Sequence, residues 1–509
     1  MSSSWVVDVD CPEPQENVEG WVMDMEKKLE DAEPPAKVLR WPKHCIFRVP
    51  MRFKMKTVDG MASCVYKPQT VSLGPFHHGD KELKPMEEHK LRAVRHLLHR
   101  ANCKTTLADL IAAVEEVADE LQDAYMGLGE EWQGKENRGK FVEMMITDGC
   151  FLLEVMRTVV AVEENGSIDY MHGDPVFSEH GIQHIKPFVQ RDMLMVENQL
   201  PLMLLEKMVA AEEGKPPSAA SINFMVLKFL ERNDASEGIN LGLHPLDIYR
   251  TSLLKAGMKT RGNKQGRRHP QGLLKIKSWM RSCLKAPQQN IHRDRGVEKE
   301  MGATRLPLQN MHPRRVVPRS ARKLSEAGIR FVPSSTSCLD DIDLDRWTLY
   351  MPNVLLDDSS AHKFHNMMVF EAMHVGTRNE VTAYVLFVKD LVDSADDVHL
   401  LVTKMILEND LADDDAAVVR LFNGLTKDVH KNWRSQLCRV RGDLEHHYIK
   451  HRACVNMYEW WAHLRSKYFR SPWTALALLI AVLFLVGDIV QSVYAVLGYD
   501  PKKAKPKMD

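Results

Sequence analysis

The segment SPWTALALLIAVLFLVGDIVQSVYAVLGYDPKKAKPKMD, close to the end of the chain, constrains the fold more than any other. From Thr474 to Val486 it is almost wholly apolar. A bilayer core of about 30 Å takes roughly 20 helical residues at about 1.5 Å each. With Trp473 at one interface and Tyr494 at the other, the intervening helix is about 32 Å long, which fits the hydrocarbon thickness and the aromatic preference for membrane boundaries. Asp488 then lies about 9 Å inside the Tyr494 boundary, where snorkelling or a polar group on a neighbouring helix accommodates it. A soluble core helix has no need of so wide an apolar circumference, and an interfacial helix carries a charged face along its whole length. The segment therefore predicts one C-terminal transmembrane helix over 471–497 and a basic tail over 498–509. Arg465, Lys467 and Arg470 precede it, and Lys502, Lys503, Lys505 and Lys507 follow it, so flanking charge does not orient it.

Other features place the bulk of the chain in the cytosol, anchored at the plasma membrane. Only a short tail follows the apolar helix. The nine cysteines contain no C-x-x-C pair, and an odd number scattered in this way reads as reduced thiols. The first twenty residues have neither a basic nor an apolar region of the signal-peptide kind. Asn165-Gly166-Ser167, a glycosylation sequon, points the other way. A formal net charge of -1 gives no global electrostatic case for nucleic acid as a partner.

Residues 1–40 read as an acidic disordered tail, with ten acidic side chains in the first 36 positions and little periodicity. Residues 41–257 read as a helical half. Within it, TTLADLIAAVEEVADELQDAYMGL places Leu107, Leu110, Ile111, Val114, Val117, Ala118 and Leu121 on one face, with Thr106 and Asp109 to cap the start. FVEMMITDGCFLLEVMRTVVAV and INFMVLKFL predict helices buried on most sides. Between Met258 and Lys323 there are 18 Lys and Arg against three acids, broken by prolines, so 258–320 reads as a basic mobile linker. Residues 321–470 form a second half: short strands at GIRFV and RWTLYMPNVLL, then helices at SSAHKFHNMMVFEAMH, NEVTAYVLFVKDLVDSADDVHLLVTKMIL, DDDAAVVRLFNGLTKDV and VNMYEWWAHLRSKYF. The expected fold class is mainly α, a large multi-helix domain with minor β-strands plus the transmembrane helix.

No catalytic, cofactor or metal set emerges. His77, His78, Asp80, Glu87, Glu88 and His89 are dense, but their spacing does not put two ligands on one helical face. His447 and His451 share a face without further ligands nearby. Asp341, Asp343 and Asp345 start like a calcium loop, which fails at Arg346 and Pro352. Cys150 lies in an apolar run with no base in sight and reads as a buried thiol. Walker, G-x-S-x-G and kinase motifs are absent from the sequence. Glu197, Asn198 and Gln199 differ in kind: they interrupt apolar helical text just before Pro201, which starts a helix more readily than it continues one. Three polar groups there need internal partners if buried, so this reads as a structural polar junction.

Taken together, CIFRVP, YKPQTVSLGPFHHGDKELKPMEEHK, DGCFLLEVMR, RDMLMVENQLP, HPLDIYR, LSEAGIRF and the YF-to-PW approach to the apolar helix resemble the plant domain-of-unknown-function family numbered 247, over about residues 41–497. The chain departs from that pattern at Ala372, where such proteins usually carry Gln, and in the long basic linker. The resemblance implies a mostly helical domain, a single C-terminal transmembrane helix and no established catalytic activity. Some grass relatives are implicated as male determinants of self-incompatibility in pollen recognition. The expected function is thus a membrane-anchored recognition protein without enzyme activity, its partners a membrane and other proteins such as a paralogue or a recognition ligand. A membrane-bound enzyme of unknown chemistry and a structural scaffold are the alternatives.

Overall fold

A 26-residue helix, Arg138–Glu163, runs through the middle of the N-terminal half, and its sequence explains why. Apolar side chains occupy nearly every face, so it is stable only when surrounded. It is packed on by the helices Lys84–Arg100, Leu107–Glu116, Glu179–Met193, Leu202–Glu213 and Ala219–Phe229. The computed structural model describes residues 16–32, 43–54, 65–100, 105–164, 168–232, 240–254, 320–411, 414–427, 429, 435–450 and 472–497. The basic segment (apart from Ser320), the sequon and the stretch VNMYEWWAHLRSKYF lie outside them.

The amphipathic stretch after Thr106 is two helices, Leu107–Glu116 and Ala118–Asp123, divided at Val117. Its start carries the reciprocal capping box between Thr106 and Asp109, which satisfies two otherwise orphaned donors. Leu110, Val114, Val117, Ala118 and Leu121 are buried, whereas Leu107 and Ile111 face solvent. Within the segment read as an acidic tail, Glu16–Ala32 is helical. Trp21, Met25 and Leu29 recur there at a spacing of four and form an exposed apolar stripe, a periodicity masked by the acids around it.

The strands are short. β1 (Ile46–Phe47) pairs in parallel with β2 (Tyr125–Met126). In the C-terminal half β3 (Arg330–Pro333), β4 (Asp343–Asp345) and β5 (Thr348–Met351) form a sheet of order β3-β5-β4, and β6 (Val354–Leu356) pairs in parallel with β7 (Leu407–Asn409). Helices Ser360–Met373, Glu380–Leu391, Ala395–Thr403 and Asp415–Leu425 pack around one another. A single apolar cluster contains residues of both halves, so the chain on either side of the basic segment shares one core. The described fold is mainly helical, with few short strands.

The expected transmembrane helix needs correction. Pro472–Leu497 is helical, but among the described residues no helix is long and apolar enough to cross a membrane. The unbroken run of described side chains covers 480–493. Asp488, Gln491 and Ser492 interrupt the apolar text within it. The side chains of Trp473 and Tyr494, on which the register argument rests, lie outside the described residues.

Candidate functional site

The segment Gln69–Gly74 has no neighbouring strand among the described residues, yet five of its six backbone donors are paired, because side chains take the place of a strand. Asp192 accepts from the backbone N–H of Gln69 (3.1 Å), Thr70 (2.6 Å) and Val71 (3.0 Å). Asn198 Oδ1 accepts from Leu73 N (2.7 Å), while its amide donates to the carbonyls of Val71 and Asp192, both at 3.0 Å. Asp148 closes the row by accepting from Gly74 N at 2.7 Å. Its other oxygen accepts from Lys90 Nζ, also at 2.7 Å, and Lys90 reaches Ser72 Oγ and Glu87 as well. Burial pushes the carboxyls of Asp148 and Asp192 up, offset in part by the Lys90 charge at Asp148 and by the backbone donors at Asp192.

The structure places Glu197, Asn198 and Gln199 in the connection between Glu179–Met193 and Leu202–Glu213, with Pro201 at the N-cap of the second helix. All three are buried. The Gln199 amide donates to the carbonyls of Met193 and Met195 (2.6 Å each), its oxygen accepts from Leu246 N (2.9 Å), and its own carbonyl accepts from the Tyr125 hydroxyl (2.9 Å). His244 lies between Gln199 Oε1, 3.0 Å from Nδ1, and the Cys45 carbonyl, 3.1 Å from Nε2. Burial pushes this imidazole down to about 4, so at neutral pH it has one N–H to donate and serves one of these acceptors at a time. Glu197 accepts from Val49 N (2.5 Å) and pairs with Lys54 (2.9 Å), and His77 Nε2 stands 3.4 Å away. Burial raises its carboxyl, but the nearby His77, the Lys54 charge and the Val49 N–H outweigh that and hold it below the usual range. This arrangement fixes loops.

A second set joins the two halves. Glu371, on the helix Ser360–Met373, receives Arg250 (Nε 2.9 Å) and the N–H groups of Val381 and Thr382 (2.9 Å each) at the start of Glu380–Leu391. It acts as an N-cap supplied by another helix. Asn366 Oδ1 accepts from Val196 N (3.0 Å), and its amide donates to Val65 O (3.1 Å). Phe370 meets the His244 ring edge to face at 4.8 Å.

Beside this junction lies a cavity of about 400 Å³. Its apolar wall is Phe53, Met368, Val369, Leu425 and Val429; Tyr66, His365, Asn379 and Thr382 add polar groups, and Arg52 and Lys427 supply the charge. Ala372 also faces it.

A family profile described as a plant protein of unknown function, DUF247, matches residues 46–487, most of the chain. The chain belongs to this family. Two Arabidopsis thaliana proteins are similar to this chain along nearly their whole length. UPF0481 protein At3g47200 is 26% identical over 473 residues, 89% of this chain and 87% of the relative; putative UPF0481 protein At3g02645 is 23% identical over 521 residues, 92% of each. No solved structure matches.

Of the anchor residues, the structure describes only the side chain of Asp488, which is exposed. Among the described residues no group of three or more His, Cys, Asp or Glu could hold a metal ion. Cys150 is fully buried, and burial pushes its thiol well above the ordinary range. Sequence reading missed Asp148, Asp192, His244, Arg250, Asn366 and Glu371 as parts of this site. Their signal was present in Asp148 and Glu371: acidic residues inside otherwise apolar helical text, each needing a partner.

Proposed function

We propose that this protein is a membrane-associated recognition protein that works by holding another protein and not by turning over a substrate. The observation that carries the reading is the C-terminal helix Pro472–Leu497. Every described side chain from Ile480 to Val493 is exposed, and apart from Gly487, Asp488, Gln491 and Ser492 these residues are apolar. Apolar surface on all sides of a helix is unfavourable in water at about 25 cal/mol per Å², which favours its cover by lipid or by a partner. The buried carboxylates support the same reading, since Asp148, Asp192, Glu197 and Glu371 are taken up by backbone donors and cations. In its finer form, the body faces the cytosol at the plasma membrane, a placement supported by the scattered thiols; the partner is a paralogue or a recognition ligand, and the process is plant self-incompatibility or a related recognition event, as the family resemblance implies for some grass relatives.

Flotation with phosphatidylcholine–phosphatidylserine vesicles tests the association. The full chain rises with the vesicles, and a chain ending at residue 471 stays at the bottom. Equal behaviour of the two would refute membrane association through this helix. Cross-linking in membranes that captures no partner removes the recognition reading, and allele exchange in pollen that leaves compatibility unchanged removes the self-incompatibility role.

A further inference from the structure

The cavity between the Met51–Lys54 turn and the helices Ser360–Met373, Glu380–Leu391 and Asp415–Leu425 plays no part in the proposed protein contact. Its volume of about 400 Å³ falls in the range of sites that take small molecules. Three observations give it chemical character. Two cations line it, Arg52 and Lys427, and none of the described lining residues is acidic; neither cation pairs with a carboxylate among the described residues. Tyr66 lines the cavity, and its hydroxyl has no hydrogen-bond partner among the described residues. The His365 ring, edge-on to Tyr66 at 6.4 Å, also lacks a hydrogen-bonded partner there.

We propose that this cavity binds a small amphipathic carboxylate, an aromatic or aliphatic acid whose apolar body rests on Met368, Val369 and Leu425 and whose charge is met by Arg52 and Lys427. The phenol and the imidazole donate to the same head group. Burial pushes His365 down to about 4, so the ring acts as a neutral donor and leaves the positive charge to the two rim cations. A bound acid would touch both halves of the chain, the turn from one and three helices from the other. The proposal is independent of the C-terminal helix, so either can fail alone.

The probes are naphthalene-1-acetate, octanoate and the neutral naphthalene-1-acetamide, titrated calorimetrically into the full-length protein. Both acids bind saturably at one site, and the amide binds about tenfold more weakly, because charge-assisted bonds are lost. Arg52→Gln combined with Lys427→Gln, both at exposed positions, brings the acetate to the level of the amide. Ala372→Leu fills the cavity with a good helix former and weakens all three by more than about tenfold. Equal binding of acid and amide, unaltered binding in Ala372→Leu, or no saturable binding of either acid up to millimolar concentration overturns the proposal.

Discussion

Removal of the Glu371 carboxylate should be among the most damaging single changes in this protein. Its side chain is fully buried, and Arg250, 8% exposed, depends on it for charge neutralisation. In Glu371→Ala, that guanidinium keeps a hydrogen bond to the Arg378 carbonyl but loses its counter-ion, and the first turn of Glu380–Leu391 loses the acceptor for two N–H groups. Breaking a buried pair from one side costs about 3–5 kcal/mol. The uncapped donors add to this, although water entering the vacated space offsets part of it. The expected loss is therefore about 4 kcal/mol, a large share of the 5–15 kcal/mol typical of a folded domain. Urea unfolding of the full chain, followed by circular dichroism, measures it. Because the penalty comes mainly from an orphaned charge, Arg250→Met with Glu371→Met should lose about 2 kcal/mol less than the sum of the two single changes. A loss below about 1 kcal/mol in Glu371→Ala, or strict additivity in the double variant, refutes the reasoning.

Gly74 offers a packing test with an internal control. It adopts φ +78°, and a Cβ there would stand 2.8 Å from both the Gln199 carbonyl and the Tyr125 hydroxyl, whereas Gly79 at φ +82° has nothing within 4 Å. Gly79→Ala should cost about 1 kcal/mol from backbone strain alone, and Gly74→Ala about 3 kcal/mol; equal losses in urea unfolding would show that the contact at Gly74 is unimportant. Glu154 gives a pH prediction. Burial raises its carboxyl, but bonds from His96 and Arg100, the Arg100 charge and the Tyr170 hydroxyl outweigh this and hold it at about 2, against an ordinary value of 4.5. A depressed folded-state value means stability that is fully present above about pH 4.5 and is lost as pH falls toward 2. The stability difference between the wild type and Glu154→Gln should therefore shrink by about 3 kcal/mol between pH 5 and 2, and a constant difference over that window counts against the assignment.

Long apolar periodicities were legible in the sequence because helix burial is written locally, at a spacing of three and four residues. Arg138–Glu163 and Ala219–Phe229 follow from it, and so does the Thr106–Asp109 cap. The polar junction at Glu197–Gln199 was legible as a demand for partners but not as the partners themselves, which lie at Val49, Leu73 and Leu246. Such pairing depends on chain crossings that no local pattern encodes. The break at Val117 and the division of NEVTAYVLFVKDLVDSADDVHLLVTKMIL into Glu380–Leu391, Ala395–Thr403 and the approach to β7 went unread for a related reason. Each half keeps its own apolar face, so periodicity continues across the bend while the backbone does not. The transmembrane reading rested on two aromatic markers, and the structure describes neither side chain.

The same long-range pairing decides what the folding unit is. A composition break as sharp as the one after Met258 suggests two domains and a tether, and a tether implies halves that are each complete. These halves are not complete. Val196 N, from the first, finds its acceptor on Asn366 in the second; Arg250 finds its counter-ion on Glu371; Leu339 N, beyond the basic segment, donates to Leu253 O before it at 2.8 Å. Either half alone would expose an apolar face and leave buried donors or charges without partners, each costing about 1–3 kcal/mol or more. The residues on either side of the basic segment are therefore one cooperative body, and the cavity proposed to take a carboxylate lies on the seam where its two parts meet.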